Sequence, residues 1–202
     1  MVPRSYVSPV RTAAAEAKRR QVIEAAAEFL RTEPLSAFSV DTVAKAAGVT
    51  RLTVYNQFGS RRGLLEATFD HLAEHGRLDR IGEAMMDPQP RQGLERLVEV
   101  FCDFWSGDLA VGRLHDAMAT DAEFAQALTA RNERRRGQIA TLVERLSPKA
   151  AAQQRRDTVD LVFTLMSYPV FRLLSEGRSP ADTCALIKMA CADAITRISA
   201  GP

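Results

Sequence analysis

Apolar positions in this chain recur at three- and four-residue intervals almost from end to end, the spacing that gathers side chains on one face of an α-helix. Val22, Ile23, Ala26, Ala27, Phe29 and Leu30 mark a first helix in an Ala-, Glu- and Arg-rich segment that stops before Pro34. Ser39 can cap a short second helix with Val40, Val43, Ala44 and Ala47 inward, and Gly48 ends it where the backbone must turn sharply. Thr50 can cap a third helix carrying Val54 and Phe58 inward. Gly59-Ser60 then breaks the pattern and opens a fourth, with Leu64, Leu65, Phe69 and Leu72 on one side, which is expected to run past His75.

Farther along, DPQPRQG (87–93) reads as a loop, followed by helices near 92–106, 109–119 and 121–146. Ser-Pro pairs at 147–148 and 179–180 each put Pro at a predicted helix start, where its missing N–H costs no intrahelical bond, and a long helix is expected after each. Residues 157–177 carry Val159, Val162, Phe163, Met166, Val170 and Leu173 as one stripe, and Leu161, Leu165 and Leu174 spread it. The final helix adds Cys184, Ile187 and Cys191. Helices apolar nearly all round need neighbours on two sides. Alternating strand-type segments bounded by turns are absent, so the expected fold is all-α.

Composition narrows the function classes. The 202 residues are 46% apolar and 26% charged, enough for one or two compact domains with real cores. No run approaches the roughly 20 apolar residues of a membrane span, and the start, MVPRSYVSPVR, lacks a secretory apolar stretch, so no membrane partner and a cytoplasmic location are expected. Cys102, Cys184 and Cys191 have no ligand-type pair spacing, which speaks for reduced thiols. The net charge of +2 is unevenly spread. Residues 1–65 hold 10 Lys or Arg against 5 Asp or Glu, a net +5, and residues 66–202 hold 17 against 20, a net −3. A polyanion partner suits the first segment.

Two short helices joined at Gly48 and braced by a longer one form a helix-turn-helix unit, whose second helix can lie in the major groove of DNA. With Val54 and Phe58 inward, Thr50, Arg51, Leu52, Thr53, Tyr55, Asn56 and Gln57 are left for exposed or partly exposed faces. Arg can pair with guanine, Leu can meet a thymine methyl, and Thr, Tyr and Gln can hold phosphates or bases.

Residues 20–72, with VIEAAAEFL and SVDTVAKAAGVTRLTVYNQFGSRRGLL, resemble the tetracycline-repressor-like (TetR) transcriptional regulators. The matching elements are Val43-Ala44, Ala47-Gly48-Val49, Thr53 followed by Tyr55, Phe58, and Ser60-basic-x-x-Leu64. The resemblance implies a flexible basic arm over 1–15, a DNA-binding domain over 16–65 and a helical ligand-binding and dimerisation domain over 66–202. It also implies a homodimer on two-fold related half-sites of a double-stranded DNA operator, acting as a repressor released by a small-molecule effector. Carried over by position, Arg51, Leu52 and Thr53 are base-reading candidates and Thr50 stands beside them. Ser39, Tyr55 and Gln57 are phosphate contacts, as is Arg61, which stands where the family commonly has Lys. Arg4, Arg11, Lys18, Arg19 and Arg20 either extend that footprint or belong to an ordinary tail.

Phe101, Phe104, Trp105, Leu114, His115 and Met118 are candidate pocket walls, or else ordinary core. Val159, Val162, Phe163, Met166, Val170, Cys184, Ile187 and Cys191 are either internal core or, as the resemblance suggests, a four-helix dimer interface. A DNA-binding dimer without an effector is the nearest alternative. One of another class is a zinc hydrolase, because HLAEH (71–75) puts His71 and His75 one turn apart with Glu74 as base, although no third ligand is evident beyond His115. No phosphate cradle or nucleophile elbow accompanies it, so no cofactor, metal or catalytic residue is expected.

Overall fold

The computed structural model describes residues 9–118 and 121–200, and among these it is built from α-helices and short 3₁₀ turns without a strand. The helices are α1 (Pro9–Thr32), α2 (Val40–Ala46), α3 (Arg51–Phe58), α4 (Arg61–His75), α5 (Ile81–Met86), α6 (Pro90–Gly107), α7 (Leu109–Ala117), α8 (Ala122–Leu146), α9 (Ala152–Leu165), α10 (Tyr168–Leu174) and α11 (Pro180–Ala200). None is long and apolar enough to cross a membrane.

The short helices begin where hydroxyl caps stand. The Ser39 hydroxyl accepts from the Thr42 N–H at 3.1 Å while the Thr42 hydroxyl accepts from the Ser39 N–H at 2.9 Å, a reciprocal capping box that starts α2. The Thr50 and Ser60 hydroxyls cap α3 and α4 by accepting from the N–H groups of Thr53 and Gly63, without a reciprocal bond. Gly48 takes φ +62° between α2 and α3, a left-handed conformation open to glycine at little cost.

Several predicted boundaries shift. Residues 1–8 of the expected arm lie outside the described residues, and from Pro9 the chain is already helical, so α1 reaches well into the span 1–15. The loop expected over 87–93 shrinks to 87–89, because Pro90 occupies the first position of α6 and the Asp87 carboxylate accepts from the Gln89 N–H at 2.8 Å. Pro148 starts no helix; it sits in the turn closed by Ala150 N–H on the Ser147 carbonyl, and α9 begins at Ala152. The long helix expected through 157–177 breaks at Met166–Ser167, since Pro169 lacks the N–H that would bond the Leu165 carbonyl. Helix α4 ends at His75 instead of continuing, and the short α5 follows it unannounced by the sequence.

One continuous core runs through the molecule. At one end Val22, Ala26, Leu30, Val43, Val54 and Phe58 close α1–α3 into a small bundle; at the other Leu94, Leu97, Phe101, Phe104, Leu114, Leu128, Ile139 and Leu142 fill the space among α6, α7 and α8. Helix α4 belongs to both, with Leu64, Leu65, Phe69 and Leu72 all buried, and it packs on α1, α3, α7 and α8. It crosses the boundary expected at 65–66 without a break.

Of the two readings of the apolar stripes on the last helices, internal core accounts for most of the named side chains. Val159, Val162, Met166, Ile187 and Cys191 are buried inside their own chain, where α9 and α11 pack on each other and on α8 and α6, and Phe163, Val170 and Cys184 are half-buried. Among the described side chains, the large apolar ones that α9, α10 and α11 leave exposed are Leu161, Leu173 and Met189, at 47, 69 and 58% exposure. All three cysteines are unpaired.

Where α4 stops, the chain passes tightly over α6: a Cβ at Gly76 would lie 2.5 Å from the Phe104 ring, which is itself buried between Phe69 and Trp105. Gly76→Ala therefore has to displace a boxed-in aromatic. The expected cost is about 1–3 kcal/mol, read as a lowered thermal midpoint; an unchanged midpoint would contradict this packing.

Candidate functional site

Helix α3 divides its side chains sharply. Val54 and Phe58 are buried, while Arg51, Leu52, Tyr55 and Asn56 are exposed and Thr53 and Gln57 are half-buried. Leu52 stands 67% exposed with nothing of its own chain to cover it, next to Arg51. The Arg51 guanidinium donates to Asp41 at 3.0 Å and to the Tyr55 hydroxyl at 3.3 Å. Both partners of the Arg51–Asp41 pair are 60% exposed, so the pair is weak and readily exchanged for another anion.

The other expected contacts have local duties. Ser39, Thr50 and Thr53 are engaged at helix starts: Thr53 shares its hydroxyl with Thr50 at 2.9 Å. The Oε1 of Gln57 is buried without a partner, while its backbone carbonyl accepts from Arg19 at 2.9 Å. Arg19 also covers the Phe58 ring at 4.4 Å and so braces α1 against the end of α3. Arg61 points away from this face. Its guanidinium pairs with Asp121 at 2.6 Å, donates to the Phe38 carbonyl at 3.3 Å and lies over the Phe38 ring. Asp121 also caps α8 through the Phe124 N–H, so one carboxylate ties the start of α4 to the start of α8. A phosphate contact by Arg61 would therefore have to compete with Asp121.

On the far side of α4 lies a cavity of about 220 Å³, lined by Phe69, Asp70 and Ala73 of α4, Leu78, Ile81, Phe101, Phe104 and Trp105, His115 of α7, and a row from α8 that includes Leu128, Arg131, Arg135 and Gln138. Two larger hollows, of about 580 and 570 Å³, are grooves between α8 and α9 and between α1 and α4 that are walled largely by charged side chains. Phe101, Phe104, Trp105 and His115 line the cavity as the sequence predicts. Leu114 and Met118 do not: α7 turns His115 to this side, leaving Leu114 fully buried in the core and Met118 packed beside it. The α8 wall was missed, because the basic run Arg134, Arg135, Arg136 looks like a solvated helix face in sequence.

The wall is aromatic and specifically held. Trp105 donates its indole N–H to the Met166 carbonyl at 3.1 Å and meets His115 edge-on at 5.0 Å, and His115 stacks on Tyr168 at 4.8 Å. Burial, with Arg135 nearby, pushes His115 down to about 4, so its imidazole is neutral at pH 7. Asp70, on the rim, is paired with Arg131, a second tie between α4 and α8.

His71 and His75 stand 4.1 Å apart between ring centroids, but the His75 Nδ1 faces the His71 carbonyl oxygen at 2.8 Å. Both lie on the groove beside α1, whereas His115 lies in the aromatic wall. Among the described residues no group of three metal-ligating side chains comes together.

Comparison with known proteins follows this division. The family described as bacterial regulatory proteins, tetR family, matches residues 22–68, from α1 into α4. Among curated proteins, the chain is 35% identical to the HTH-type transcriptional regulator AlkX of Mycobacterium tuberculosis over 54% of its length and 53% of the relative's, so it spans about half of that protein. It is 26% identical to the HTH-type transcriptional regulator EthR of Mycolicibacterium smegmatis over 71% of this chain and 67% of the other. Among solved structures, a TetR-family transcriptional regulator from Streptomyces coelicolor has the same fold, with a TM-score of 0.72 at 15% identity over 96% of each chain.

The depressed His115 has a consequence for acid stability. The unfolded imidazole, with its ordinary value near 6.5, takes up a proton before the folded one does, so the stability present above pH 6.5 is lost as pH falls toward about 4. That loss amounts to about 3 kcal/mol. The wild-type stability minus that of His115→Gln, measured by urea unfolding across this window, should fall by that order; a difference independent of pH would mean a solvated imidazole with its ordinary proton affinity, and one that grows as pH falls would mean a protonated one.

Proposed function

We propose that the chain, whose residues 22–68 match the tetR family of bacterial regulatory proteins, is a member of that family and a sequence-specific DNA-binding transcriptional regulator, a homodimeric repressor released from its operator by a small molecule. The observation that carries this reading is the split of α3, which keeps Val54 and Phe58 in the core and leaves Arg51, Leu52, Tyr55 and Asn56 exposed. A helix so exposed, capped by Thr50 and supported by α1 and α2, fits the major groove.

In this reading Arg51 leaves Asp41 for a guanine edge, Leu52 meets a thymine methyl, and Thr53 lies beside them. Tyr55, with Ser39, Thr50 and Gln57 at the margins, holds phosphates. Arg61 remains with Asp121 and serves the junction between α4 and α8. The DNA-binding unit extends to residue 65 and the regulatory unit follows, with α4 common to both. The second copy docks on α9–α11 through the outer residues Leu161, Leu173 and Met189, in place of the buried stripe. The effector occupies the cavity beside Trp105, where an aromatic wall and a few polar groups have the character of a small-molecule site.

Selection of bound duplexes from random DNA tests this directly. The expected product is a two-fold related sequence, since a symmetric dimer presents α3 twice. Arg51→Ala should cost about 1–3 kcal/mol at one base pair in each half-site and leave the other positions unchanged. Failure to enrich any sequence would sink the reading, and unaltered discrimination at every position would remove Arg51 from base contact.

A further inference from the structure

Among the described residues, the cavity wall holds a cation without a counter-charge. Arg135 is only 5% exposed, and its Nε is buried with no hydrogen-bond partner. Its neighbours are rings: the guanidinium carbon lies 5.1 Å from the centroid of Phe101, 5.8 Å from that of Trp105 and 4.6 Å from that of Phe163. Aromatic faces attract a cation but give a guanidinium's five N–H groups no acceptor. The one carboxylate on the cavity wall, Asp70, is already paired with Arg131. A buried charge normally comes with a partner, because desolvating it alone is costly. Burial, reinforced by Arg136, pulls Arg135 down to about 10, which still leaves it protonated at neutral pH.

A second unsatisfied polar atom lines the same space. The Nε2 of His115 is buried without a partner, while Trp105 has its N–H committed to Met166 and offers only its ring. A cationic ligand would be repelled by Arg135, and a purely apolar one would leave both polar groups unmet. The volume, about 220 Å³, lies under the roughly 300 Å³ at which drug-sized sites begin.

We propose that the cavity binds a small organic acid, its carboxylate taken by Arg135 with His115 as the second polar contact and its apolar body laid against Phe101, Phe104 and Trp105. This rests on the reading of the cavity as the ligand site. The buried cation is then a recognition element kept at the expense of stability, and the missing counter-charge is the ligand.

The test is calorimetric titration of the full chain with two matched pairs, phenylpropionate against phenylpropanol and octanoate against octanol. In the wild type at least one acid should bind on the order of ten- to hundredfold more tightly than its alcohol, the difference a charge-assisted hydrogen bond makes. Arg135→Met should erase that preference, keep alcohol binding and leave the thermal midpoint without ligand unchanged or raised, since it replaces an unpaired buried charge by an apolar side chain. Arg135→Lys, which keeps the charge and loses the fork, should retain part of the preference. Equal binding of acid and alcohol, binding of neither pair, a preference that survives Arg135→Met, or a variant too unstable to fold would each overturn the proposal. Operator binding is followed separately. Acid binding without effect on DNA would keep the ligand class and remove the regulatory role, whereas operator release by the alcohols alone would do the reverse.

Discussion

The side chains Leu64, Leu65, Phe69 and Leu72 of α4 are buried in two places at once. Leu64 and Leu65 lie at the end that closes the α1–α3 bundle, and Phe69 and Leu72 lie at the end that meets α6, α7 and α8. Close-packed interiors resist continuous deformation, so a helix shared in this way cannot shift at one end without repacking at the other. The placement of α3 therefore depends on α4 as well as on α2. Helix α3 has only Val54 and Phe58 to anchor it, and eight residues are too few to be stable without tertiary support.

Two ion pairs fasten α4 to α8. Arg61–Asp121 joins their beginnings, and Asp70–Arg131 joins them beside the cavity, one turn from Arg135. Helix α8 thus carries the tie to the start of α4, the tie at the rim and the unpaired cation. An anion arriving at Arg135 changes the electrostatic surroundings of Arg131 and Asp70 as well. A ligand moves an equilibrium only by binding one arrangement better than the other. The α4–α8 contact is where such a difference can arise, because it forms part of the cavity and involves the helix that packs on α3.

The sequence was most readable where local rules act alone. Ser39, Thr50 and Ser60 cap helices through their own hydroxyls, and Gly48 supplies a positive φ, so the helix-turn-helix unit could be placed to the residue. Apolar spacing likewise marked the aromatic wall at Phe101, Phe104 and Trp105. It could not say which side of a doubly apolar helix faces the chain's own core, and the stripe from Val159 to Met166 could therefore be read either as internal core or as an interface; Val159, Val162 and Met166 are buried within the chain. Pro169 was the overlooked signal there. Arg61 and Arg135 were unreadable for a different reason: their partners, Asp121 and the ring of Phe101, lie 60 and 34 positions away in the chain and are brought close only by packing. In sequence each was one more basic residue on a helix.

The account's central claim is that the DNA-reading face and the cavity are two ends of one mechanical unit. Thermodynamic linkage tests this most directly: the dissociation constant of a selected operator duplex is measured with and without saturating phenylpropionate, and that of phenylpropionate with and without the duplex. Coupling through α4 predicts that each ligand weakens the other by the same factor, about 5- to 150-fold if the coupling is of ordinary size. Both constants remaining unchanged, with each ligand bound, would show that the two sites are independent and would contradict the account.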